Sequence, residues 1–305
     1  MSERIDAHCH FWQLSRGDYH WLQDNDDPAL APIRRDFGPV DLRPLSAVAG
    51  IGQVVLVQAA ESAAETDFML ALARQNDEIA GVVGWVDLAS AGAADRIAAL
   101  AAEPALKSLR PMLQDIADPD WLLTAPTPAA LAALDRSGLR FDALVLPVHL
   151  SRLASFCAAH PDLPVIIDHA AKPALGAPAD DPRHALWAEG MARLASETAC
   201  ACKLSGLLTE MRPDQRDTSE AALGILQPVF EQLLEWFGPG RLVWGSDWPV
   251  LTLAASHPRW IEITDALLAP LSASERAAIL GGNARRFYGL AEANNGLGSA
   301  KLTGT

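Results

Sequence analysis

The chain has 305 residues, half of them hydrophobic, and a formal net charge of −14. This acidity argues against binding to nucleic acid or to an anionic membrane surface, because both carry charge of the same sign. No apolar run approaches the roughly 20 residues of a membrane-spanning helix, and no secretory signal pattern follows the first residue. The four cysteines fit neither a disulfide framework nor a paired-cysteine zinc motif. We therefore expect a cytoplasmic protein with a large core.

Short apolar segments alternate with Ala- and Leu-rich segments along the chain. The apolar segments predict strands at 4–8, 53–58, 79–86, 106–110, 141–146, 165–169, 199–204 and 241–244. The Ala- and Leu-rich segments predict helices near 41–48, 64–75, 93–102, 128–136, 150–160, 183–196, 220–236, 257–268 and 272–288. Most of the predicted strands are continuous apolar runs, which is typical of parallel strands buried on both faces.

The alternation of eight strands with helices predicts an α/β fold, a (β/α)8 TIM barrel that forms a single domain over residues 1–290. An open doubly wound sheet is the alternative, and the absence of a Gly-rich turn after the first predicted strand counts weakly against it. Residues 291–305 are rich in Gly, Asn, Ser and Thr, and we expect them to form a disordered tail.

Two histidines, His8 and His10, end the first predicted strand and share a face, because side chains alternate along a strand. Asp247 follows the eighth predicted strand, which lies beside the first in a closed barrel, and His169 ends the sixth. Imidazole and carboxylate groups are good ligands for zinc and similar ions. The four residues therefore predict a site for one divalent metal ion, in which Asp247 and His169 are the candidate catalytic residues. The alternatives are a core histidine for His169 and a turn cap for Asp247.

Other polar side chains at the predicted strand ends are candidates for binding a substrate. Arg110 should point into the mouth of the barrel, where a guanidinium can bind hydroxyl, carbonyl or carboxylate groups, with a structural ion pair as the alternative. Further candidates are Gln58, Lys172, Lys203, Trp12 and His149. Asp168 is expected to face away from His169, and Cys200 and Cys202 are expected to pack toward the helices.

Six segments form an ordered set that is more specific than any one motif. They are 5–12 (IDAHCHFW), 82–88 (VVGWVDL), 167–173 (IDHAAKP), 202–206 (CKLSG), 245–250 (GSDWPV) and 283–290 (NARRFYGL). This set resembles the amidohydrolase superfamily, in its branch of sugar lactonases such as L-fuconolactonase and L-rhamnonolactonase. The resemblance covers nearly the whole chain and implies a barrel that hydrolyses cyclic esters. It matches His8, His10, His169 and Asp247 to metal and catalytic positions, with the aspartate as the base.

The sequence departs from similar lactonases at one position, because Pro111 stands where they often carry a histidine. Lys107 is expected to face away from Arg110, so no lysine of that strand is placed to bridge two metal ions. We therefore expect one divalent ion, zinc before others, or an enzyme that works without metal, as some relatives do.

The predicted function is hydrolysis of a sugar-derived aldonolactone by water, with Asp247 as the general base. One alternative is another amidohydrolase-type reaction, either amide hydrolysis or nonoxidative decarboxylation. The other is a barrel that binds a ligand without catalysis. The expected partner is a small-molecule substrate, and the sequence leaves open whether the chain forms a homo-oligomer.

Overall fold

The computed structural model describes residues 4–292, so the predicted tail lies outside the described residues except for its first two. Eight parallel strands form one sheet in chain order. They are β1 (Arg4–Cys9), β2 (Ile51–Val57), β3 (Ile79–Gly84), β4 (Leu106–Leu109), β5 (Arg140–Ala143), β6 (Val165–Ile167), β7 (Ala201–Leu204) and β8 (Leu242–Trp244). The backbone N–H of Asp247 donates to the carbonyl oxygen of His8 at 2.7 Å, which joins the end of β8 to β1. The predicted (β/α)8 TIM barrel is confirmed.

Helices surround the sheet and connect its strands. Those of the described residues are α1 (His20–Gln23), α2 (Pro39–Ala49), α3 (Ala63–Gln75), α4 (Ala93–Ala101), α5 (Trp121–Thr124), α6 (Pro128–Ser137), α7 (Leu150–Ala159), α8 (Pro182–Glu197), α9 (Ser219–Phe237), α10 (His257–Leu268), α11 (Ala273–Ala277) and α12 (Asn283–Tyr288). Side chains of Ser62, Thr127 and Thr218 accept backbone hydrogen bonds in the first turns of α3, α6 and α9, which explains where these helices begin. None of the described helices combines the length and apolar character needed to cross a membrane.

The sheet separates two apolar layers. The outer layer lies between strands and helices and includes Cys200 and Cys202, as predicted from their position. The inner layer fills the barrel, and its strand residues are Ile5, Ala7, Val55, Val57, Val83, Ile166, Ala201 and Val243. Ala284 and Tyr288 of α12 pack against this inner layer. The interior of the barrel below the mouth is therefore a packed apolar core. Polar side chains lie at the ends of the strands and in a buried cluster beneath these ends.

Two departures from the predicted elements change which side chains reach the mouth. The register between β1 and β2 shifts between Asp6 and Cys9, which is a bulge in β1. The strand β6 ends at Ile167, two residues before the predicted end, because the chain then turns through residues with positive φ. Both departures concern residues of the candidate site.

Candidate active site

A cavity of about 360 Å³ opens at the C-terminal ends of the strands, which is the end that carries the active site in TIM-barrel enzymes. Its lining includes Trp12, Trp21 and Leu30 from the loop after β1, Arg110 after β4, His169 and Lys172 after β6, Glu210 after β7 and Asp247 after β8. His10 also lines the cavity, whereas His8 lies directly beneath it and is fully buried. Segments after seven of the eight strands thus meet around His8 of β1 and His10 directly after it.

The Asp247 carboxylate lies at the centre of a group of imidazoles. Its Oδ1 atom is 3.2 Å from His10 Nε2, 3.8 Å from His8 Nε2 and 3.9 Å from His169 Nε2. Burial alone would raise the pKa of Asp247, but His169, which is protonated in the acidic range where Asp247 titrates, and the hydrogen bond with His10 lower this pKa below its ordinary value. Asp247 is therefore ionised at neutral pH and able to accept a proton.

The hydrogen bonds of His10 indicate which kind of charge can lie next to Asp247. His10 Nδ1 lies 2.8 Å from the carbonyl oxygen of Val57, which can only accept, so Nδ1 carries a proton. His10 Nε2 then faces the Asp247 carboxylate at 3.2 Å. This approach is favourable only if Nε2 is also protonated or if a cation lies beside both atoms. The arrangement is therefore suited to positive charge next to Asp247.

Three of the four predicted metal ligands lie close together in the structure, and His10 is not part of this group. Donor atoms of His8, His169 and Asp247 lie within 4.8 Å of one another, and all three residues are buried. Burial lowers the pKa of His169 to about 4 and that of His8 well below its ordinary value, so both imidazoles are neutral at neutral pH, as metal ligation requires. Two imidazoles and one carboxylate are a donor set that suits zinc. The residues present fit one divalent ion.

His169 reaches the cavity through a turn and not through strand alternation. Alternation along the sixth strand predicts that Val165, Ile167 and His169 share one inward face. Val165 and Ile167 instead belong to the outer layer and Ile166 to the inner one, so this prediction is wrong. Residues from His169 to Lys172 have φ between 47° and 58°, in the left-handed region. This turn brings the imidazole inward, with Nδ1 2.9 Å from Ser205 Oγ.

Asp168 also differs from its prediction, because it faces the interior of the barrel. It follows the inward Ile166 by two residues and is fully buried. Its carboxylate lies 2.9 Å from Lys203 Nζ and 3.3 Å from Arg110 Nη1. Burial opposes its charge, but Lys203, His8 and Arg110 hold the pKa of Asp168 well below its ordinary value. Asp168 therefore supports two cations beneath the cavity floor.

Lys203 is the centre of this buried cluster. Its Nζ atom lies 2.5 Å from Asp142, 2.9 Å from Asp168 and 3.1 Å from His8 Nδ1. Asp142 in turn accepts hydrogen bonds from Tyr288 at 2.7 Å and from Ser108 at 2.5 Å. We missed Asp142 and Tyr288 from the sequence, although a carboxylate inside a short apolar strand is a signal for a buried ion pair. The cluster links the floor of the cavity to α12.

Arg110 lines the cavity as predicted, and Gln58 fixes its position from behind. The guanidinium donates to the carbonyl oxygen of Gln58, and Gln58 Nε2 donates to the carbonyl oxygen of Arg110 at 2.9 Å. Gln58 is fully buried and is not among the described residues that line the cavity. Gln58 was predicted to contact the substrate, but in the structure it holds Arg110 in position.

His149 does not join the other candidates. It ends a short 3₁₀ turn after β5, where its Nδ1 accepts a hydrogen bond from the backbone N–H of Leu146 at 3.0 Å. It lines a separate small cavity beside α5 and not the cavity at the barrel mouth, as far as the described residues extend. Its position does not support the predicted contact with substrate, because the imidazole is engaged in capping the turn before α7.

Two further features shape the cavity wall. Lys172 Nζ lies 3.9 Å from Glu210 Oε1, and both side chains are about a quarter exposed, so they offer opposite charges to a ligand. Trp12 and Trp21 are held by hydrogen bonds from their indole nitrogens to the carbonyl oxygens of Arg35 and Ala59, each at 2.8 Å. The two indole rings are therefore fixed in place, and Glu210 is an additional polar group that was not among the predicted residues.

Relatives in two species carry the same name. The chain is 41% identical over 295 residues to an L-fucono-1,5-lactonase of Burkholderia ambifaria, covering 94% of this chain and 96% of the relative. It is 37% identical over 298 residues to an L-fucono-1,5-lactonase of Burkholderia multivorans, covering 95% of this chain and 97% of the relative.

Solved structures and a family model show to which protein family the chain is similar. An amidohydrolase of Burkholderia multivorans with bound HEPES superposes with a TM-score of 0.87 at 36% identity, covering 95% of this chain and 100% of the other. An amidohydrolase of the same species with bound zinc superposes with a TM-score of 0.85 at 35% identity and the same coverage. The model of the family described as Amidohydrolase matches residues 5–290. The chain therefore belongs to the amidohydrolase family.

Proposed function

We propose that this protein is a lactonase that opens a sugar-derived lactone by hydrolysis, with L-fucono-1,5-lactone as the first substrate to test. The observation that carries the proposal is the ionised Asp247 carboxylate at the floor of an open cavity, 3.2–3.9 Å from three imidazoles. The names of the two Burkholderia relatives, at 41% and 37% identity, support the choice of substrate class.

Asp247 acts as the general base in this proposal. A water molecule between Asp247 and the lactone carbonyl gives a proton to the carboxylate as its oxygen attacks the carbonyl carbon. The tetrahedral intermediate then expels the ring oxygen, which takes the proton back from Asp247. The product is an open-chain hydroxy acid, which releases a proton to solvent at neutral pH. The hydrogen bond with His10 keeps the carboxylate ionised and oriented between turnovers.

Arg110 stabilises the negative charge that develops on the carbonyl oxygen. Its guanidinium is held by the Gln58 carbonyl and by Asp168, so it is oriented before the substrate arrives. Donors that are fixed in advance are more effective than mobile ones, because no reorganisation is needed at the moment of reaction. The proposed contacts to the sugar hydroxyls come from Lys172 and Glu210, and Trp12 covers the ring.

His8, His169 and Asp247 are the residues that would hold a divalent ion, with His10 beside them. Such an ion would polarise the carbonyl and lower the pKa of a nearby water molecule. The donor set favours zinc over magnesium or calcium, because two of its three atoms are imidazole nitrogens. Arg110 and the histidines can stabilise the same charge by themselves, so the proposal does not require the ion.

The test is a panel of aldonolactones, assayed by proton release with a pH indicator and corrected for spontaneous opening. We expect turnover of at least one 1,5-lactone by the parent protein, and background rates for the variant Asp247→Asn. Amide substrates and aromatic carboxylic acids are assayed in parallel, because turnover of these instead would support the alternative reactions. Binding without turnover of any compound would support a non-catalytic barrel. Each assay is repeated with a chelator to separate metal-dependent from metal-independent activity.

The remaining expectations belong to the same proposal. A small-molecule substrate is consistent with a cavity of about 360 Å³. A cytoplasmic location is consistent with the acidic composition and the four free cysteines. Cell fractionation of the native host with an antibody to this chain tests the location, and a protein found mainly outside the cytoplasm would contradict it.

A further inference from the structure

Two thiols lie in contact at the end of the barrel opposite the candidate active site. Cys157 is in the last turns of α7, and Cys200 directly precedes β7. Their Sγ atoms are 3.4 Å apart, which is the distance of a thiol–thiol hydrogen bond. The two residues are 43 positions apart in the sequence, so the contact is made by the tertiary fold.

A surface cavity leads to this pair of thiols. It has a volume of about 360 Å³ and is lined by both cysteines and by the exposed residues Pro161, Asp162 and Glu197. Cys157 retains 8% of its accessible surface and Cys200 retains 3%. A molecule of the size of hydrogen peroxide can therefore approach the two sulfur atoms through the cavity, although neither thiol projects from the surface.

The surroundings give the two thiols different reactivities. The hydrogen bond with Cys157, in which either thiol can donate, and the nearby Arg241 lower the pKa of Cys200, although burial opposes this. The same hydrogen bond and burial raise the pKa of Cys157. Arg241 lies close because its guanidinium donates to the carbonyl oxygen of Cys200 at 3.3 Å. Cys200 is therefore the better nucleophile, and Cys157 is placed to react second.

The other two cysteines lack these features. Cys9 and Cys202 are fully buried, and each sulfur contacts a backbone carbonyl oxygen, that of Val55 at 3.7 Å and that of Lys203 at 3.9 Å. Burial raises the pKa of both thiols, which makes the thiolate rare. The chain thus contains a reactive pair and two internal controls.

We propose that Cys157 and Cys200 are a modification site, at which a peroxide converts the two thiols into a reversible intramolecular disulfide. In the first step the Cys200 thiolate attacks one peroxide oxygen, the O–O bond breaks, and Cys200 becomes a sulfenic acid while the other oxygen leaves as hydroxide and takes up a proton as water. In the second step the Cys157 sulfur attacks the sulfenic sulfur and expels a second water. Overall, two thiols and one hydrogen peroxide give one disulfide and two molecules of water.

The product ties the end of α7 to the start of β7. A disulfide requires the sulfur atoms to approach to about 2.05 Å, which is little more than an ångström closer than the present contact. The bond would lie at the N-terminal ends of the strands, whereas the cavity of the candidate active site lies at their C-terminal ends. The modification is therefore separate from the proposed catalysis.

The experiment exposes the reduced full-length protein to a small excess of hydrogen peroxide, then removes the oxidant, denatures and alkylates with N-ethylmaleimide. Intact mass spectrometry should show two adducts instead of the four of the untreated protein. Peptide mapping should find residues 157 and 200 linked, and dithiothreitol before alkylation should restore four adducts. Cys157→Ser and Cys200→Ser should each abolish the link, whereas Cys202→Ala should form it as the parent does. In Cys157→Ser, dimedone should label Cys200 as the sulfenic acid.

Four adducts after peroxide treatment would overturn the proposal, and so would irreversible oxygen addition at a single cysteine or a link that joins two chains. Loss of thiols at Cys9 or Cys202 at the same rate as at the pair would also overturn it. The parent protein alone distinguishes these outcomes, so a serine variant that fails to fold leaves the test intact.

Discussion

Asp247 is the residue on which the proposed chemistry depends. The substitution Asp247→Asn keeps the size of the side chain but removes the proton acceptor, so we expect kcat to fall about 10²–10⁴-fold. The variant should stay folded, with an unfolding temperature equal to or somewhat below that of the parent, because Asp247 lies at the end of a strand and neighbouring imidazoles stabilise its ionised form. Steady-state kinetics on the lactone that is turned over fastest measure kcat, and a thermal melt measures the unfolding temperature. A variant that keeps more than about a tenth of the parent rate, well above this range, would show that Asp247 is not the base.

The same residues limit the number of metal ions. The described residues place one group of three donors at the mouth, formed by His8, His169 and Asp247. Lys203, the nearest lysine beneath them, is already paired with Asp142 and Asp168 and does not bridge two ions. We expect at most one firmly bound divalent ion per chain in protein purified without chelator. Elemental analysis after exhaustive dialysis measures this, and a stoichiometry of two would contradict it.

Alternation along strands predicted some residues of the site and failed for others. It placed His8 and His10 on one face, yet Ile5 and Ala7 also lie inside the barrel, because the bulge in β1 changes the face partway along the strand. It misplaced Asp168, because β6 ends earlier than its pattern suggested. Bulges and strand ends depend on pairing with neighbouring strands, which a single sequence does not display.

At the scale of elements, the turns after β6 and β7 fit against each other. Gly206 has a φ of 62°, and a Cβ atom at this position would lie 2.5 Å from His169 Nδ1. We expect Gly206→Ala to displace the imidazole and lower kcat by at least tenfold. Gly50→Ala is the matched control, because Gly50 has a φ of 67° but its added Cβ would meet no atom within 4 Å. Both variants should lose stability from the left-handed backbone, but only Gly206→Ala adds a steric contact with the imidazole. Equal activity in the two variants would therefore refute the packing explanation.

The loop after β1 is anchored to α3 by a buried acid. Tyr19 donates to Glu65 Oε2 at 2.6 Å, and the backbone N–H of Ala59 donates to Glu65 Oε1 at 3.0 Å. Burial raises the pKa of Glu65 from 4.5 to about 7, although these hydrogen bonds oppose the shift. A raised pKa means that the protonated form is favoured in the folded state. The contribution of Glu65 to stability is therefore complete below about pH 4.5 and lost as the pH rises through about 7.

Glu65→Gln should remove this pH dependence, because the amide does not titrate and can still accept from Ala59 and donate to Tyr19. Relative to the parent, the free energy of unfolding of the variant should increase by roughly 2–3 kcal/mol between pH 5 and pH 8. Urea denaturation at the two pH values measures it. If the free energies of unfolding of variant and parent differ by the same amount at pH 5 and at pH 8, Glu65 does not titrate in this range.

At the scale of the whole molecule, the barrel fold is predicted by the alternation of strand and helix segments along the sequence. Eight apolar segments separated by helices predicted the barrel, since few other folds use that alternation. The helix expected at 272–288 is instead two helices, α11 and α12, joined by a segment with wider turns. Periodicity does not reveal such a break, because all of these residues remain compatible with a helix. The break lets α12 bring Tyr288 beneath the barrel, where its hydroxyl reaches Asp142.

The charged cluster inside the barrel should make stability unusually sensitive to one lysine. Lys203→Met replaces the ammonium with an apolar group of similar length and leaves Asp142 and Asp168 buried without their shared cation. Removing one partner of a buried ion pair costs about 3–5 kcal/mol of the free energy of unfolding. Arg74→Met is the control, because the Arg74–Glu103 pair is largely exposed and such pairs contribute about 0–1 kcal/mol. Urea denaturation at pH 7 compares the two. If Lys203→Met is no less stable than Arg74→Met, the carboxylates are neutral in the folded protein, and the cluster does not hold the floor of the cavity by charge.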